Sequence, residues 1–265
     1  MIETLQTRAS DGAATAARYA GAHGPPLVFV HGVGSTAAIW DAQLDACAPT
    51  HQALAVELRG NGIPKPEPDP QFVTRAGYAR DVLAVADASG MERFTLVGCS
   101  LGGVVAFELW KTVPHRIDAM VIVGSFARYP QADVYAQSVV NAVRDAGDMR
   151  VFARMRAERL TLPPERMRET IEQMAIKTVP SYLAATQATW TGDYRDVLPT
   201  ISVPVLVLCG EHDVVAPLIL SQEIAAAIPH AHVEVIEDAG HVANADNPAA
   251  FNALLEAFLR EHDLV

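Results

Sequence analysis

Two kinds of hydrophobic pattern alternate along the chain. Unbroken apolar runs at Leu27–Val30, Ala53–Val56, Phe94–Val97, Ala119–Val123 and Val205–Leu208 read as strands buried on both faces. A sixth, weaker run, His232–Ile236, is interrupted by polar residues. Between them, residues recur with helical spacing over 38–48, over 74–89 with Gly90 as C-cap, over 101–113 up to Pro114, over 221–228 up to Pro229, and over 248–260. The first 23 residues hold two short alternating segments around Ser10-Asp11-Gly12, the signature of a hairpin. Two hairpin strands and six runs give eight strands. Their alternation with helices predicts an α/β protein with a mostly parallel eight-stranded sheet built from βαβ units.

One region breaks the rhythm. From Phe126 to about Leu198 no run has strand character, and helical patterns cover 134–143, 149–160, a stretch after Pro163-Pro164, and 181–190. The chain therefore divides into a first part of the core (1–125), an inserted helical cap (126–200) and the rest of the core (201–265). Four of the seven methionines, Met149, Met155, Met167 and Met174, fall in the insertion, where adaptable side chains suit a tolerant pocket wall as well as ordinary packing.

The third long run leads into Gly98-Cys99-Ser100-Leu101-Gly102-Gly103 and then directly into a helical pattern. A strand that becomes a helix at a single serine, with glycine two residues to either side, has the form of a nucleophile elbow, G-x-S-x-G. Such a turn forces Ser100 to positive φ and leaves no room for side chains at 98 and 102. Serine is a poor nucleophile by itself and needs a base, itself oriented by a carboxylate. The last two strands each end in a loop that carries these groups: Gly210-Glu211-His212-Asp213 and Glu237-Asp238-Ala239-Gly240-His241.

Composition narrows the classes. The net charge of -11 over 265 residues argues against a nucleic-acid partner, since nothing would neutralise a row of phosphates. Cys47, Cys99 and Cys209 are odd in number and sit in apolar contexts, which reads as buried thiols in a reducing compartment. The N-terminal residues lack the basic and apolar regions of a signal peptide, and no apolar run is long enough to span a membrane. A cytoplasmic protein without a membrane partner is the expectation.

Five motifs in order carry a resemblance to the α/β-hydrolase superfamily over nearly the whole length. They are HGVGSTAAIW after the third strand, ELRGNG after the fourth, GCSLGG, GEHDVVAP and AGHVANADNP. The resemblance implies Ser100 as nucleophile, His241 as general base and acid, Asp213 as the orienting carboxylate in preference to Glu211, and the backbone N–H groups of Val33 and Leu101 as the oxyanion hole. It implies no cofactor and no metal. His31 would shape the turn of its loop, while His212, His230, His232 and His262 read as surface residues. Glu57 stands where the family carries aspartate, at a turn-shaping position, and the Cys99 side chain is expected to point away from the site.

Serine at position 100 sets the chain apart from the epoxide hydrolases and haloalkane dehalogenases that share this resemblance, and Val242 and Gly34-Ser35 from hydrolases of carbon–carbon bonds. The wording of the loops is most similar to 3-oxoadipate enol-lactonases and small carboxylesterases. That implies cleavage of a small ester or lactone through an acyl-enzyme. A carboxylated lactone would require a cation, for which the insertion offers Arg150, Arg154, Arg156 and Arg159; a solvated face is the competing reading of these four. Trp40, Phe126, Trp190 and Val242 are the expected pocket walls. Two other activities fit the same residues: a cofactor-free perhydrolase or haloperoxidase, and a slow-turnover ligand sensor.

Overall fold

The computed structural model describes residues 1–64, 67–159 and 164–265, apart from the side chains of Arg159 and Pro164. Strands β1 (Glu3–Arg8) and β2 (Ala14–Ala20) form the hairpin, followed by β3 (Pro26–Val30), α1 (Asp41–Cys47), β4 (Gln52–Glu57), α2 (Arg75–Ala88), β5 (Phe94–Cys99), α3 (Leu101–Thr112) and β6 (Ile117–Val123). Four helices come next: α4 (Ala132–Ala146), α5 (Met149–Arg159), α6 (Pro164–Ala175) and α7 (Val179–Trp190). The chain ends with β7 (Val205–Gly210), α8 (Leu218–Ala227), β8 (Ala231–Ile236), α9 (Ala243–Asp246) and α10 (Pro248–Glu261). The expected helix over 149–160 runs to Arg159; its last residue, Leu160, and Pro163 lie outside the described residues.

All eight strands share one sheet in the order β1-β2-β4-β3-β5-β6-β7-β8. Only β1–β2 and β2–β4 pair antiparallel; every other neighbour is parallel, as the apolar runs predict. The reason those runs lack alternation is visible in the packing. Along β3, Val28 and Val30 enter one core layer while Leu27 and Phe29 enter the other, and in β6 Met120 and Ile122 oppose Ala119, Val121 and Val123. Helices α2, α3 and α8 cover the first layer; α1 and α10 cover the second. The edge strand β8 is half exposed, so polar residues interrupt its pattern.

Apart from the short helix α9 and brief 3-10 turns, which the sequence pattern does not predict, differences from the sequence expectations lie at element boundaries. The segment 38–48 divides into a 3-10 turn, Ala37–Trp40, and α1. Helix α8 starts at Leu218 rather than Ser221, because the exposed Leu218 and Ile219 sit on its solvent side and blur the periodicity.

Helices α4 to α7 leave the sheet after β6 and return before β7. The two crossings lie side by side, joined by the Tyr194 amide donating to the Ala127 carbonyl at 2.9 Å and by an Arg128–Asp193 bridge. Phe126 stacks on Trp190 at 5.2 Å between ring centres, and Tyr129 meets Trp190 edge-on at 4.7 Å, closing the root of the block with aromatic surface. Among the described residues no helix is long and apolar enough to cross a membrane. The parallel strands bring the loops that follow β3, β5, β6, β7 and β8 to a single edge of the sheet, where open α/β sheets hold their sites.

Candidate active site

Strand β5 ends at Cys99 and α3 begins at Leu101, so Ser100 alone makes the turn, at φ 54 and ψ −113. The turn is crowded. A β-carbon at Gly98 would stand 2.3 Å from the Gly102 carbonyl oxygen, and one at Gly102 would stand 2.1 Å from that of Val30. The end of β6 and the residues just after it pin the serine: its amide donates to Val123 O at 2.8 Å, and Ser125 Oγ donates to the Ser100 carbonyl at 2.8 Å. Backbone held in so sparse a region persists only when its surroundings over-determine it.

The loop after β8 carries His241 to this hydroxyl, with Nε2 3.0 Å from Ser100 Oγ. The loop after β7 brings Asp213 behind the ring, Nδ1 standing 2.9 Å from Oδ2 and 3.1 Å from Oδ1. A carboxylate only accepts, so Nδ1 carries the hydrogen and Nε2 is left to accept from the serine. Asp213 is itself fixed by the amides of Val215 and Ala216, which donate to Oδ1 at 2.8 and 2.9 Å. Glu211, on the same loop, points elsewhere: it is exposed and accepts the Asp238 amide at 3.2 Å. Glu211, His212 and Asp238 gather three possible ligand atoms within 4.8 Å of one another, but at the surface, where such groupings are ordinary.

The loop after β3 lies against the serine. A β-carbon at Gly32 would come within 3.2 Å of Ser100 Cβ. His31 braces that loop from inside. Its Nε2 accepts the Leu58 amide at 3.2 Å, so Nδ1 donates to the Gly32 carbonyl at 2.8 Å, and complete burial pushes its pKa down to about 3. Val33 follows in the cavity wall. Leu101, as the first residue of α3, has an amide with no intrahelical acceptor, and the helix dipole places partial positive charge there. Buried Cys99 has its thiol 3.9 Å from the His241 carbonyl, with its pKa raised by burial, which disfavours thiolate.

Ser100 and His241 open into a cavity of about 590 Å³. Its floor is the sheet edge, and its far wall is α6 with Arg166, Thr170, Gln173 and Met174. These four repeat at helical spacing; Met174 is one of the insertion's methionines suited to a pocket wall, whereas for Arg166, Thr170 and Gln173 that spacing is the signal the sequence carries. Val242 lines the cavity. Trp40, Phe126 and Trp190 do not. Trp40 packs between Phe29 and Phe251 on the opposite face of the sheet, at 5.1 and 5.8 Å, while Phe126 and Trp190 are spent on each other. Large aromatic rings went where the greatest apolar area could be buried.

The cations separate as clearly. Arg150 pairs with Glu172 on the surface, Arg154 is exposed, and the side chain of Arg159 lies outside the described residues. Arg156 borders the cavity and also a smaller chamber of about 240 Å³ lined by Tyr129, Tyr135 and Phe152. Arg166 borders the cavity too, but Asp246 and Glu169 compensate its charge. Among the described residues Arg156 has no ion-pair partner.

The profile of the alpha/beta hydrolase fold family matches residues 25–248. The chain belongs to the α/β-hydrolase family. Within it, the chain is 27% identical over 258 residues to 3-oxoadipate enol-lactonase 2 of Acinetobacter baylyi, covering 95% of each protein. It is also 27% identical over 249 residues to a Cronobacter turicensis protein provisionally named carbamate hydrolase RutD, covering 89% of this chain and 91% of the relative. A solved thermophilic esterase of Thermogutta terrifontis, described with malate bound, superposes with a TM-score of 0.85 at 25% identity over 99% of both chains. This α/β-hydrolase chain thus has relatives named for ester, lactone and carbamate cleavage.

Glu57, at the end of β4, is 5% exposed, and its Oε2 has no hydrogen-bond partner. Burial pushes its pKa from 4.5 up to about 7, with the Ala37 amide and Lys177 opposing. A carboxyl whose pKa is higher in the folded state favours folding when protonated, so this contribution is present below about pH 4.5 and lost as pH rises through 7. Relative to wild type, Glu57→Gln therefore gains stability between pH 5 and pH 8, by about 2–3 kcal/mol. Urea unfolding of both proteins at the two pH values measures this; an unchanged difference would contradict it.

Proposed function

We propose that the chain is a serine hydrolase that cleaves small carboxylic esters or lactones through an acyl-enzyme. The observation that carries this reading is the unbroken relay from Asp213 through His241 to Ser100 Oγ, with spacings of 2.9 and 3.0 Å, opening into a cavity of about 590 Å³. Ser100 Oγ adds to the substrate carbonyl carbon while His241 Nε2 takes its proton. The carbonyl π electrons move to oxygen, and the N–H groups of Val33 and Leu101 hold the resulting oxyanion; such a donor is worth roughly 3–4 kcal/mol at the transition state. Collapse breaks the bond to the leaving oxygen, which receives the proton from His241. In a lactone the leaving group stays tethered to the acyl chain. Water, deprotonated by His241, then releases the acid and restores Ser100. Asp213 keeps the imidazole in the required tautomer and stabilises its charged form.

In this reading the helices inserted after β6 form a cap, and residues 126–200 choose the substrate. Arg156 gives the cavity a cation that has no ion-pair partner among the described residues, which favours a substrate that carries a carboxylate away from the reacting carbonyl. Tyr129, Tyr135 and Phe152 beyond it suit an apolar group next to that charge. The three buried, unpaired cysteines fit a cytoplasmic setting.

Ser100→Ala and His241→Ala are each expected to lower kcat on p-nitrophenyl butyrate by about 10⁴-fold or more while remaining folded. Asp213→Asn should lose about 10⁴-fold and Glu211→Gln very little. Steady-state kinetics decide between these outcomes, and near-wild-type turnover in the Ser100 or His241 variant would overturn the mechanism. For Arg156→Ala, KM for an aryl hemisuccinate should rise at least about tenfold more than KM for p-nitrophenyl butyrate, in keeping with loss of a charged hydrogen bond. Equal effects on both esters would remove the anionic substrate from the reading.

A further inference from the structure

Lys177, in the turn between α6 and α7, is 4% exposed. Lysine is among the residues least often buried, so its environment calls for a reason. Its ammonium donates to three backbone carbonyls from three separate parts of the chain: Ser35 at 3.0 Å in the loop after β3, Asn61 at 2.8 Å in the loop after β4, and Gln173 at 2.9 Å in α6. Three converging carbonyl dipoles repel one another, and a cation at their focus turns that repulsion into cohesion.

The Ser35 end of this junction reaches the chemistry. The Ser35 amide donates to Gly32 O at 3.2 Å, closing a four-residue turn that contains Val33. His31 holds the beginning of that turn through the Gly32 carbonyl, and Lys177 holds its end through the Ser35 carbonyl. A second tie runs in parallel, from Ser35 Oγ to Gln173 Oε1 at 2.9 Å. Gly34 has positive φ, and its missing β-carbon would stand 3.0 Å from Met174 Cε, so α6 lies directly on the turn. The turn is therefore pressed between Ser100 on one side and α6 on the other.

We propose that Lys177 is a positioning residue that fixes the Gly32–Ser35 turn against α6, and thereby aims the Val33 N–H at the oxyanion. The proposal rests on the oxyanion-hole reading given above and extends it to a residue outside the loops of the sheet edge. Through this peg the cap and the oxyanion loop behave as one unit. A bound substrate rests on α6 and also finds the oxyanion donor in place, and a mispositioned donor costs catalysis rather than binding.

The test is K177M, with K177Q carrying the same measurement if the methionine variant is not soluble. Rates are normalised to the concentration of sites that react with a fluorophosphonate, so loss of folded enzyme does not register. The expected result is a fall in kcat on p-nitrophenyl butyrate of about 10- to 100-fold with KM nearly unchanged. The ratio of kcat/KM for an oxoester over its thionoester should also fall several-fold. Sulfur is larger and a weaker acceptor, so a well-aimed hole favours oxygen and a loosened one discriminates less. A merely structural lysine would leave that ratio, per active site, at its wild-type value, and this result would overturn the proposal. A wild-type enzyme that turns over both esters equally would contradict the oxyanion-hole reading itself, and the proposal with it.

Discussion

Everything at this sheet edge is arranged around a backbone that has one residue in which to change from strand to helix. Ser100 stands at φ 54 because β5 and α3 leave it no other course, and the same constraint brings the Gly98 and Gly102 backbones into contact with their neighbours. The strain is opposed by the end of β6, where Val123 accepts from the serine's own amide, and by Ser125 just beyond it, which donates to the serine's carbonyl. The loop that lies against the serine is braced from inside by His31, whose burial favours the neutral ring that accepts from Leu58 while donating to Gly32.

The parallel sheet accounts for the remaining convergence. Loops after β3, β5, β7 and β8 are distant in sequence, yet parallel pairing puts all their starting points on one edge. Asp213 is held by two amides of its own loop, so the carboxylate is oriented before it meets the imidazole. This is the logic of preorganisation: each group is fixed by neighbours that take no part in the reaction.

Much of this was legible in the sequence, for identifiable reasons. Strands buried on both faces leave continuous apolar runs, the elbow needs glycines where a β-carbon has no space, and Asp-Gly marks the hairpin that carries the two antiparallel pairings. The pocket was far less legible. Trp40 and Trp190 announce burial but not which side of the sheet they are buried on, and each fills a core rather than the cavity. The wall is instead the 166–170–173–174 face of α6, a mixture of charge, hydroxyl, amide and thioether that reads as an ordinary amphipathic surface. Of the four arginines at issue, helical spacing alone could not say that Arg156 faces inward while Arg150 faces Glu172. Lys177 was invisible for the same reason: its acceptors are main-chain carbonyls from remote loops, which no side-chain pattern encodes.

The central claim is that Ser100 forms a covalent bond to the acyl group during turnover. Acid-quenching the enzyme within milliseconds of mixing with excess p-nitrophenyl butyrate, followed by peptide mass spectrometry, tests it most directly. The account predicts a butyryl adduct on the peptide containing Ser100, located at the serine oxygen, that grows in with the burst of nitrophenolate. Turnover with that peptide unmodified, or an adduct on Cys99, would contradict it.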